Sequence, residues 1–449
     1  MQHPDQTAAP GTPNLRYSYY VVLLLMLTYI LSFLDRVLIS LLAEPIRAEF
    51  NLGDTEIGLL VGFGFVLFYT ILGLPFGAAA DRFNRRNLIV LGLVGWSLAT
   101  AGSGLIGGFG GLLVMRALVG VGEATLSPAA LSTIADRFPP ERLAFAIALY
   151  SSGVVLGGGL AMGFGGMLAD WAAQTSVSLG ALGTVSDWRL AMLAVGLLGL
   201  PLALLLLATM REAPRTTARA EVPGFGVLLA TIRANGRAFA TVFLGFGSIV
   251  IAGYIPMLWG PALLAREHGM AAPDIGLALG LIVGLCGFAG VLSGGLLSDR
   301  MTRRGIVHAP ILLVLATLPP QALAFGAAYL LSHTPTVLVL LGIGAFLSSM
   351  LGGLQATTVQ LLAPARMRGR AMALYLLVVT LLGMGLGPLV IGLLSDHVFE
   401  TLAAALATVS TLSLLLATMI LWLGRNAVRD SIHLARMSAD ETLTPQNSR

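Results

Sequence analysis

Four ionisable side chains stand inside long apolar stretches of the sequence: Asp35, Arg36, Arg116 and Glu123. An unpaired charge that faces lipid costs about 3 kcal/mol or more, so such residues face a cavity or one another. Arg116 and Glu123 are seven residues apart, which places them on one face of a helix and about 10 Å apart along it. Asp35 and Arg36 are expected opposite, and we predict that Asp35 pairs with Arg116.

These residue types can couple a proton to an anion. A carboxylate held between an apolar environment and a nearby arginine can change its protonation state as a cavity opens to either side. We hypothesise that Glu123 or Asp35 takes up a proton and so releases an arginine, which binds the anionic head group of a substrate. The competing interpretation is a buried ion pair that serves only structural specificity.

The elements that hold these charges must be helices that cross a membrane. Of the 449 residues, 56% are hydrophobic and 11% are charged, whereas soluble domains have about a quarter of charged residues. Twelve apolar runs are long enough to span hydrocarbon as helices, the form that satisfies backbone groups in lipid. They lie at about 17–41, 55–80, 87–106, 109–135, 143–168, 189–210, 238–263, 273–298, 306–331, 336–362, 371–394 and 402–424.

The basic residues set the orientation. All 26 are arginine, and 21 of them fall in segments on the same side as the N-terminus, against Arg47, Arg189 and Arg266 on the other side. Because cytoplasmic segments carry the excess of basic residues, both termini are predicted to be cytoplasmic. The arginines form short clusters between apolar runs rather than one basic face, so nucleic-acid binding is not expected.

An internal repeat divides the chain into two halves. Gly77 to Arg82 aligns with Gly295 to Arg300 at an offset of 218, and Gly166 and Asp170 align with Gly392 and Asp396 at an offset of 226. Two parallel six-helix halves with a substrate site between them at mid-membrane are a transporter architecture. The expected parts are a cytoplasmic tail at 1–16, a six-helix bundle at 17–210, a cytoplasmic linker at 211–237, a second bundle at 238–424 and a cytoplasmic tail at 425–449.

The repeat also shows that the fold does not need the four charges. The positions that correspond to them in the second half are Gly253, Tyr254, Leu341 and Ser348. Because this half is expected to fold alike without charges, a purely structural role for them is less favoured.

The segment between the second and third runs is a candidate cytoplasmic gate. Glycine permits close helix contact, aspartate can accept hydrogen bonds from a helix N-terminus, and the arginines hold the cytoplasmic side. The motif occurs in both halves, which makes it specific. Its residues are Gly77, Asp81, Arg82, Arg85 and Arg86, with Asp299 and Arg300 in the second copy.

With this loop, the chain resembles the major facilitator superfamily over nearly all of residues 17–424. The stretch from Arg116 to Ala124 resembles a second signature of that superfamily, and the glycine-rich run from Gly153 to Gly166 a third. The resemblance implies an all-α membrane protein with twelve transmembrane helices in two pseudo-symmetric six-helix bundles. It also implies that the aspartate of the loop helps to close the cytoplasmic side.

A narrower resemblance is to the spinster-like branch of the superfamily. It rests on Phe33 to Arg36, on Gly122 to Ala124, and on Leu126 to Ala130. Animal members of the branch move lysophospholipids and sphingosine phosphate. The resemblance therefore implies an amphiphilic lipid substrate and proton coupling.

The second half offers milder candidates for lining the cavity. They are Ser248 and Tyr254 in the seventh run, Gln355 and Thr358 in the tenth, and Tyr375 and Thr380 in the eleventh. Each of them alone is more often a polar contact between helices than a ligand-binding group. A cavity that is charged on one side and apolar on the other suits an amphiphile.

The leading function is thus a proton-coupled secondary transporter of a lysophospholipid-like or sphingosine-phosphate-like lipid. The alternatives are a proton-coupled transporter of a small organic anion or drug and, more remotely, a non-transporting membrane receptor. An enzyme is not expected, because the helices hold no paired nucleophile and base. We also expect no cofactor and no metal, a monomer, and a bacterial inner (plasma) membrane location.

Overall fold

The structure is a computed structural model that describes residues 15–178, 184–212, 225–306, 309–363, 367–399 and 401–443. Nearly all of these residues are helical, as the apolar runs predict. Buried apolar side chains form one continuous core that extends through both halves. Large apolar side chains also remain on the outer surface, as expected where a helix faces lipid rather than water.

The first half contains nine helices and one hairpin among the described residues. The helices are α1 Leu15–Leu41, α2 Ala43–Phe50, α3 Asp54–Gly58, α4 Gly64–Arg82, α5 Arg85–Ser103, α6 Phe109–Glu123, α7 Leu126–Arg137, α8 Pro140–Ala173 and α9 Asp187–Thr209. A π-helical turn, Leu59–Phe63, joins α3 to α4 without a break. The strands β1 Ser176–Ser178 and β2 Thr184–Ser186 pair antiparallel between α8 and α9.

The linker and the second half contain ten helices in the described ranges. They are α10 Phe225–Ala234, α11 Gly236–Leu258, α12 Gly260–His268, α13 Ala272–Leu281, α14 Gly287–Arg303, α15 Ala309–Leu330, α16 Thr334–Leu362, α17 Arg368–Thr380, α18 Gly387–His397 and α19 Leu402–Leu443. The π-helical turns Ile282–Cys286 and Leu381–Leu386 connect α13 to α14 and α17 to α18.

The long helices, counted together with the short helices and π-helical turns that continue them, form twelve segments where twelve were expected. Eleven segments of the described chain are long and apolar enough to cross a membrane. The remaining one is α5, a 19-residue helix whose first three residues are Arg85, Arg86 and Asn87, so that its apolar part is short. The all-α, twelve-helix arrangement in two halves is thus in agreement with the structure.

Helices extend into the expected tails and linker, whose cytoplasmic assignment stays a prediction. Helix α1 begins at Leu15, within the expected N-terminal tail, and α10 is a helix inside the expected linker, most of whose remainder (213–224) lies outside the described residues. Helix α19 continues to Leu443, so residue 424 does not end a helix. Hydropathy marks where a helix leaves lipid, whereas the helix itself ends where its backbone leaves the helical conformation.

Glycine contacts reproduce the internal repeat in three dimensions. Gly58 lies against the carbonyl oxygen of Pro388, and its counterpart Gly276 lies against that of Met162. Met162 and Pro388 are themselves related by the offset of 226. An added Cβ at either glycine would overlap the facing oxygen, so these glycines allow the close approach of the two halves.

One end of the bundle is held closed by charges that join the halves. Arg266 of α12 binds Glu44 of α2, with 2.7 Å between Nη2 and Oε1, and Asp54 of α3, with 2.8 Å between Nη1 and Oδ1. Burial by itself lowers the pKa of Arg266, but the two carboxylates more than offset this and raise it, so this arginine stays cationic. We call this end of the molecule the Arg266 end and the opposite end the Arg85 end.

A second polar contact reinforces the Arg266 end. Asp396, at the end of α18, accepts hydrogen bonds from the backbone N–H groups of Asp54 (2.9 Å) and Thr55 (2.7 Å) and from the Thr55 hydroxyl (2.6 Å). Ser395 donates to Asp54 Oδ2 at 2.7 Å. The first turn of α3 is thereby bound to the second half by its otherwise unpaired N–H groups.

Candidate functional site

Two ion pairs lie side by side in the interior of the first half. Arg36 of α1 binds Glu123 of α6, with its Nε 2.7 Å and its Nη2 2.5 Å from Oε2 of the carboxylate. The side chain of Glu123 is fully buried and that of Arg36 is 7% exposed. Two donors directed at one oxygen in a dry environment make this a short, charge-assisted contact.

The glycines of α6 place Glu123 at this position. Gly120 lies against the backbone of α4 at the carbonyl oxygen of Phe65, and Gly122 lies against α5 at the carbonyl oxygen of Gly92. A side chain at either glycine would collide with those atoms. The sequence from Gly120 to Glu123 therefore lets α6 pack closely against two helices and directs the carboxylate toward α1.

The second pair is looser. Arg116 Nη1 lies 3.9 Å from Asp35 Oδ1, which is too long for a hydrogen bond, and both side chains are at most 2% exposed. Thr100 of α5 donates a hydrogen bond to the other oxygen of Asp35. In the part of the chain that the structure describes, Arg116 Nε and Nη2 and Asp35 Oδ1 are buried without a hydrogen-bond partner.

Aromatic rings surround Arg36. The ring centroids of Phe33, Phe65 and Tyr69 lie 5.1, 4.9 and 4.7 Å from its guanidinium carbon. Phe65 also lies 5.5 Å from the guanidinium carbon of Arg116, so this ring contacts both cations. The charges of the site are therefore held by carboxylates and by ring faces.

The structure brings together all four residues that the sequence singled out. The predicted pairing of Asp35 with Arg116 is confirmed as a close contact. The pairing of Arg36 with Glu123 was missed, and it is the tighter of the two. The balance of charges could have indicated it. Once Asp35 is paired with Arg116 in a dry interior, Glu123 and Arg36 are the one carboxylate and the one guanidinium group of the cluster that remain.

A cavity of about 240 Å³ lies in the second half, at the positions that correspond to the charge cluster. It is lined by Gly253, Tyr254 and Ser348, the counterparts of Asp35, Arg36 and Glu123. The other lining residues that matter here are Val283 and Gln355. Where one half carries four charges, the other has a mainly apolar space that no charged side chain lines among the described residues.

The uncharged polar residues of the second half that were predicted to line the cavity divide into two groups. Tyr254 and Gln355 line the cavity, and Tyr375 donates a hydrogen bond of 2.7 Å to the Gln355 amide oxygen from behind. Ser248 and Thr358 instead donate to backbone carbonyls one turn earlier in their own helices. These two and Thr380, which directly precedes a π-helical turn, are not among the residues that line the cavity.

The gate motif lies at the Arg85 end and is largely exposed. The exposed residues are Asp81, Arg82, Asp299 and Arg300. The nearest atom that an added Cβ on Gly77 would meet is 4.0 Å away, and a Cβ on Gly295 would meet nothing within 4 Å. The close helix contact predicted for Gly77 is therefore not made in this conformation, in which the halves meet tightly at the opposite end.

Arg85, the fourth residue of the motif, belongs to a different contact. Its side chain is buried and binds Asp136 of α7 and, at 2.7 Å from Nε to Oε1, Glu212 after α9. Glu212 also accepts a hydrogen bond of 3.1 Å from the backbone N–H of Arg86. Arg85 and Arg86 thus join the start of α5 to α7 and to the segment after α9, all within the first half.

Each of the two carboxylates of the buried site, Asp35 and Glu123, faces an arginine. No group of three or more His, Cys, Asp or Glu side chains in the described ranges is arranged to hold a metal ion.

Comparison with known proteins shows the relationships of the chain. Residues 25–388 match the profile of the Major Facilitator Superfamily. An MFS-type efflux pump of Mycolicibacterium smegmatis is 30% identical over 412 residues, which cover 90% of this chain and 90% of that protein. Protein spinster homolog 1 of Homo sapiens is 29% identical over 417 residues, with 88% of this chain and 76% of that protein covered.

A solved structure is similar over almost the whole length. It is the crystal structure of a bacterial homolog to the human lysosomal transporter Spinster, in an inward-facing and unoccupied conformation. The TM-score is 0.76 and the sequence identity 28%, and the match covers 96% of this chain and 99% of that one.

Proposed function

The chain belongs to the major facilitator superfamily, in its spinster-like branch, and from this premise we propose that it moves an amphiphilic lipid by proton-coupled alternating access. It is an integral membrane transporter and not an enzyme. The proposed substrate has an anionic or zwitterionic head group on a single long chain, as in a lysophospholipid or a sphingosine phosphate.

The contrast between the two halves carries this proposal. The buried site of the first half offers arginines and carboxylates to a charged head group. The corresponding space of the second half offers a cavity lined mainly by apolar groups, whose polar side chains are uncharged and belong to Tyr254, Ser348, Ser349 and Gln355. A molecule that bridges both needs one charged end and one apolar end, which is the definition of an amphiphile.

The two carboxylates are the proposed proton carriers. Glu123 forms an ion pair with Arg36, and Asp35 lies 3.9 Å from Arg116. Among the described residues, two nitrogen atoms of Arg116 have no hydrogen-bond partner. A proton on either carboxylate removes a negative charge next to an arginine, and the arginine then attracts the substrate anion. Because a buried charge is costly without a partner, proton and anion favour each other's binding.

Alternating access would use the two ends of the bundle in turn. The observed conformation has the Arg266 end closed by Glu44, Asp54 and Asp396. The proposed outward-opening step breaks these contacts and brings the exposed gate motif of the Arg85 end together. The conformation of the similar inward-facing structure supports this assignment.

The orientation and the assembly are part of the proposal. We place the Arg85 end and both termini in the cytoplasm of a bacterium, with the chain in its inner membrane, because 21 of the 26 arginines lie on that side. We propose a monomer, since each half of the site comes from the same chain.

A second candidate is a proton-coupled transporter of a small organic anion or drug. The efflux pump of M. smegmatis, at 30% identity over nine-tenths of both proteins, favours it. The charge cluster serves this candidate as well as the lipid, but the apolar cavity does not help to bind a small polar anion.

Transport by the purified protein in lipid vesicles separates the two. The substrates are a labelled lysophosphatidylcholine, a labelled sphingosine phosphate and a labelled small carboxylate such as benzoate, each with and without a pH gradient. Saturable movement of a lipid that the gradient drives supports the proposal. Saturable movement of benzoate alone would refute the lipid substrate and favour the second candidate.

Glu123→Gln and Asp35→Asn test the proton carriers in the same assay. The matched control is Glu49→Gln, which also removes a carboxylate paired with an arginine, Arg189, with 2.5 Å between Nη2 and Oε1, but at the Arg266 end. We expect gradient-driven transport to be lost in at least one of the first two variants and kept in the control. If both Glu123→Gln and Asp35→Asn keep it, coupling through this cluster is wrong.

A further inference from the structure

The rings around Arg36 form an aromatic cage, which we define as Phe33, Phe65 and Tyr69. The three centroids lie within 5.1 Å of the guanidinium carbon. Phe65 is stacked on Tyr69 at 5.4 Å between centroids, and it is fully buried. Each ring presents the negative face of its quadrupole to a cation at a distance where this attraction is effective.

The cage occurs in one half only, as the charges do. At the offset of 218, Phe33, Phe65 and Tyr69 correspond to Ile251, Val283 and Gly287. In the second half, two of these positions therefore hold aliphatic residues and the third holds a glycine, although the scaffold is the same. The rings are therefore tied to the presence of the charges and not to the packing of the fold.

The cage and Glu123 hold Arg36 in different ways. Glu123 occupies the N–H donors Nε and Nη2 with its Oε2 atom. The rings act on the delocalised charge of the guanidinium and use none of these donors. A proton on Glu123 weakens the first interaction and leaves the second one in place.

We propose that the aromatic cage keeps Arg36 fixed in both protonation states of Glu123, so that protonation turns Arg36 into an immobile binding site for the substrate's anion. This inference rests on the proposed function and changes one step of it. The arginine does not swing out to meet the substrate; the anion comes to an arginine that is already in place. Pre-organisation of this kind removes the cost of ordering a long side chain on binding.

Tyr69 marks the side from which the anion approaches. Phe33 is 6% exposed and Phe65 is not exposed, whereas Tyr69 is half-buried. On α4, Tyr69 lies about one helical turn closer than Phe65 to the Arg85 end. The anion therefore reaches Arg36 past the Tyr69 ring.

Other titratable groups surround the pair of Arg36 and Glu123. Asp35 and Arg116 act electrostatically on Glu123, from α1 and α6. Tyr29 of α1 and Tyr69 of α4 act on Arg36, and Arg36 in turn acts on Tyr254 of α11. A change of pH would also titrate these neighbours, so substitution of Glu123 at constant pH is the cleaner perturbation.

The experiment measures binding of lysophosphatidylglycerol, an anionic lipid, to purified variants at one neutral pH. Glu123→Gln mimics the protonated state, and we expect it to bind the probe about tenfold more tightly than the wild type, as one additional charge-assisted hydrogen bond would produce. Adding Phe65→Leu or Tyr69→Leu to Glu123→Gln should cancel most of this increase in affinity. Adding Tyr69→Phe, which keeps the ring, should preserve it.

The matched control is Phe239→Leu in the Glu123→Gln background. Phe239 is a buried phenylalanine of α11 that packs edge-to-face on Phe243, at 5.9 Å between centroids. The control variant shares the loss of a buried ring, but none of the guanidinium–ring contacts among the described residues involves Phe239. It should keep the tenfold increase in affinity, and the half-buried Tyr69 gives a second cage variant if Phe65→Leu does not fold.

The outcomes separate this inference from the proposed function. If Glu123→Gln binds the lipid more tightly and the cage variants keep this increase as the control does, the cage inference is overturned and the coupling proposal stands. If Glu123→Gln binds neither lysophosphatidylglycerol nor benzoate more tightly than the wild type, the fixed anion site is refuted. If Glu123→Gln and Asp35→Asn keep gradient-driven transport, the proposed function fails whatever the cage does.

Discussion

Asp396 provides the sharpest test of how the Arg266 end is closed. Its carboxylate accepts three hydrogen bonds from Asp54 and Thr55 of the other half, at 2.6 to 2.9 Å. Each hydrogen bond to a charged group contributes about 1.5–3 kcal/mol when buried, and because Asp396 is exposed we expect only about 0.5–1 kcal/mol for each bond here. Asp396→Ala should therefore destabilise the closed end by about 1.5–3 kcal/mol, which shifts the population about 10- to 160-fold toward opening.

The chain offers a matched control for this substitution. Asp170 is the counterpart of Asp396 at the offset of 226, and it accepts a hydrogen bond of 2.9 Å from the Gln174 amide, directly after the end of its own helix. The counterpart of Thr55 is Pro273, which has no N–H to donate. Asp170→Ala should therefore leave the population almost unchanged.

The assay is the distance distribution between two spin labels at the Arg266 end. Labels on cysteines at Leu105 and Glu267, one in each half, report opening once the native Cys286 is replaced by serine. We expect Asp396→Ala to add a population at longer distance and Asp170→Ala to match the parent. Equal distributions for both variants and the parent would refute the reasoning that these three bonds hold the end closed.

Three further predictions concern stability and the balance of conformations. Gly276→Leu places a side chain against a backbone carbonyl of α8, so it should cost about 1–3 kcal/mol and open the Arg266 end in the same spin-label assay. Arg266→Gln leaves the 5%-exposed Asp54 without its closest cation, and it should lower the melting temperature of the purified protein by several degrees, for a loss of about 1–3 kcal/mol. Thr100→Val removes the hydroxyl that donates to Asp35 with little change of volume, and it should cost about 1–3 kcal/mol in the same thermal measurement, whereas an unchanged melting temperature would contradict the described hydrogen bond.

The number and order of the helices followed from the sequence, because hydrocarbon thickness fixes the length of an apolar run. The ends of the helices did not follow. The seventh run was expected to reach 263, but α11 ends at Leu258 and a new helix starts at Gly260-Pro261, since glycine and proline interrupt a helix even where hydropathy continues. Residues 425–443 contain neither glycine nor proline, and α19 accordingly continues beyond the apolar run.

The charge cluster was predictable because ionisable residues in lipid are rare and costly. Its pairing was harder, since two neighbours on α1, Asp35 and Arg36, contact two residues of α6 that are seven positions apart. The spacing of charges along single helices does not reveal how the helices are rotated and displaced relative to each other. The glycines Gly120 and Gly122 fix that arrangement, and their effect depends on backbone atoms of other helices.

The lining of the second half was predictable only in part. Tyr254 and Gln355 line the cavity, whereas the hydroxyl groups of Ser248 and Thr358 are bonded within their own helices. Helices that are apolar on all sides give no periodic signal of which face is inward. The match of this cavity to the charge cluster of the first half became visible only when the counterpart positions were placed in space.

The central claim, that a proton on Glu123 drives transport, is tested most directly by comparing exchange with accumulation in Glu123→Gln. In lipid vesicles, exchange of labelled for unlabelled lysophosphatidylcholine needs only alternating access, whereas accumulation against a concentration gradient needs the proton. We predict that the variant exchanges the lipid but does not accumulate it when a pH gradient is imposed. Accumulation by Glu123→Gln to the level of the wild type would contradict the claim.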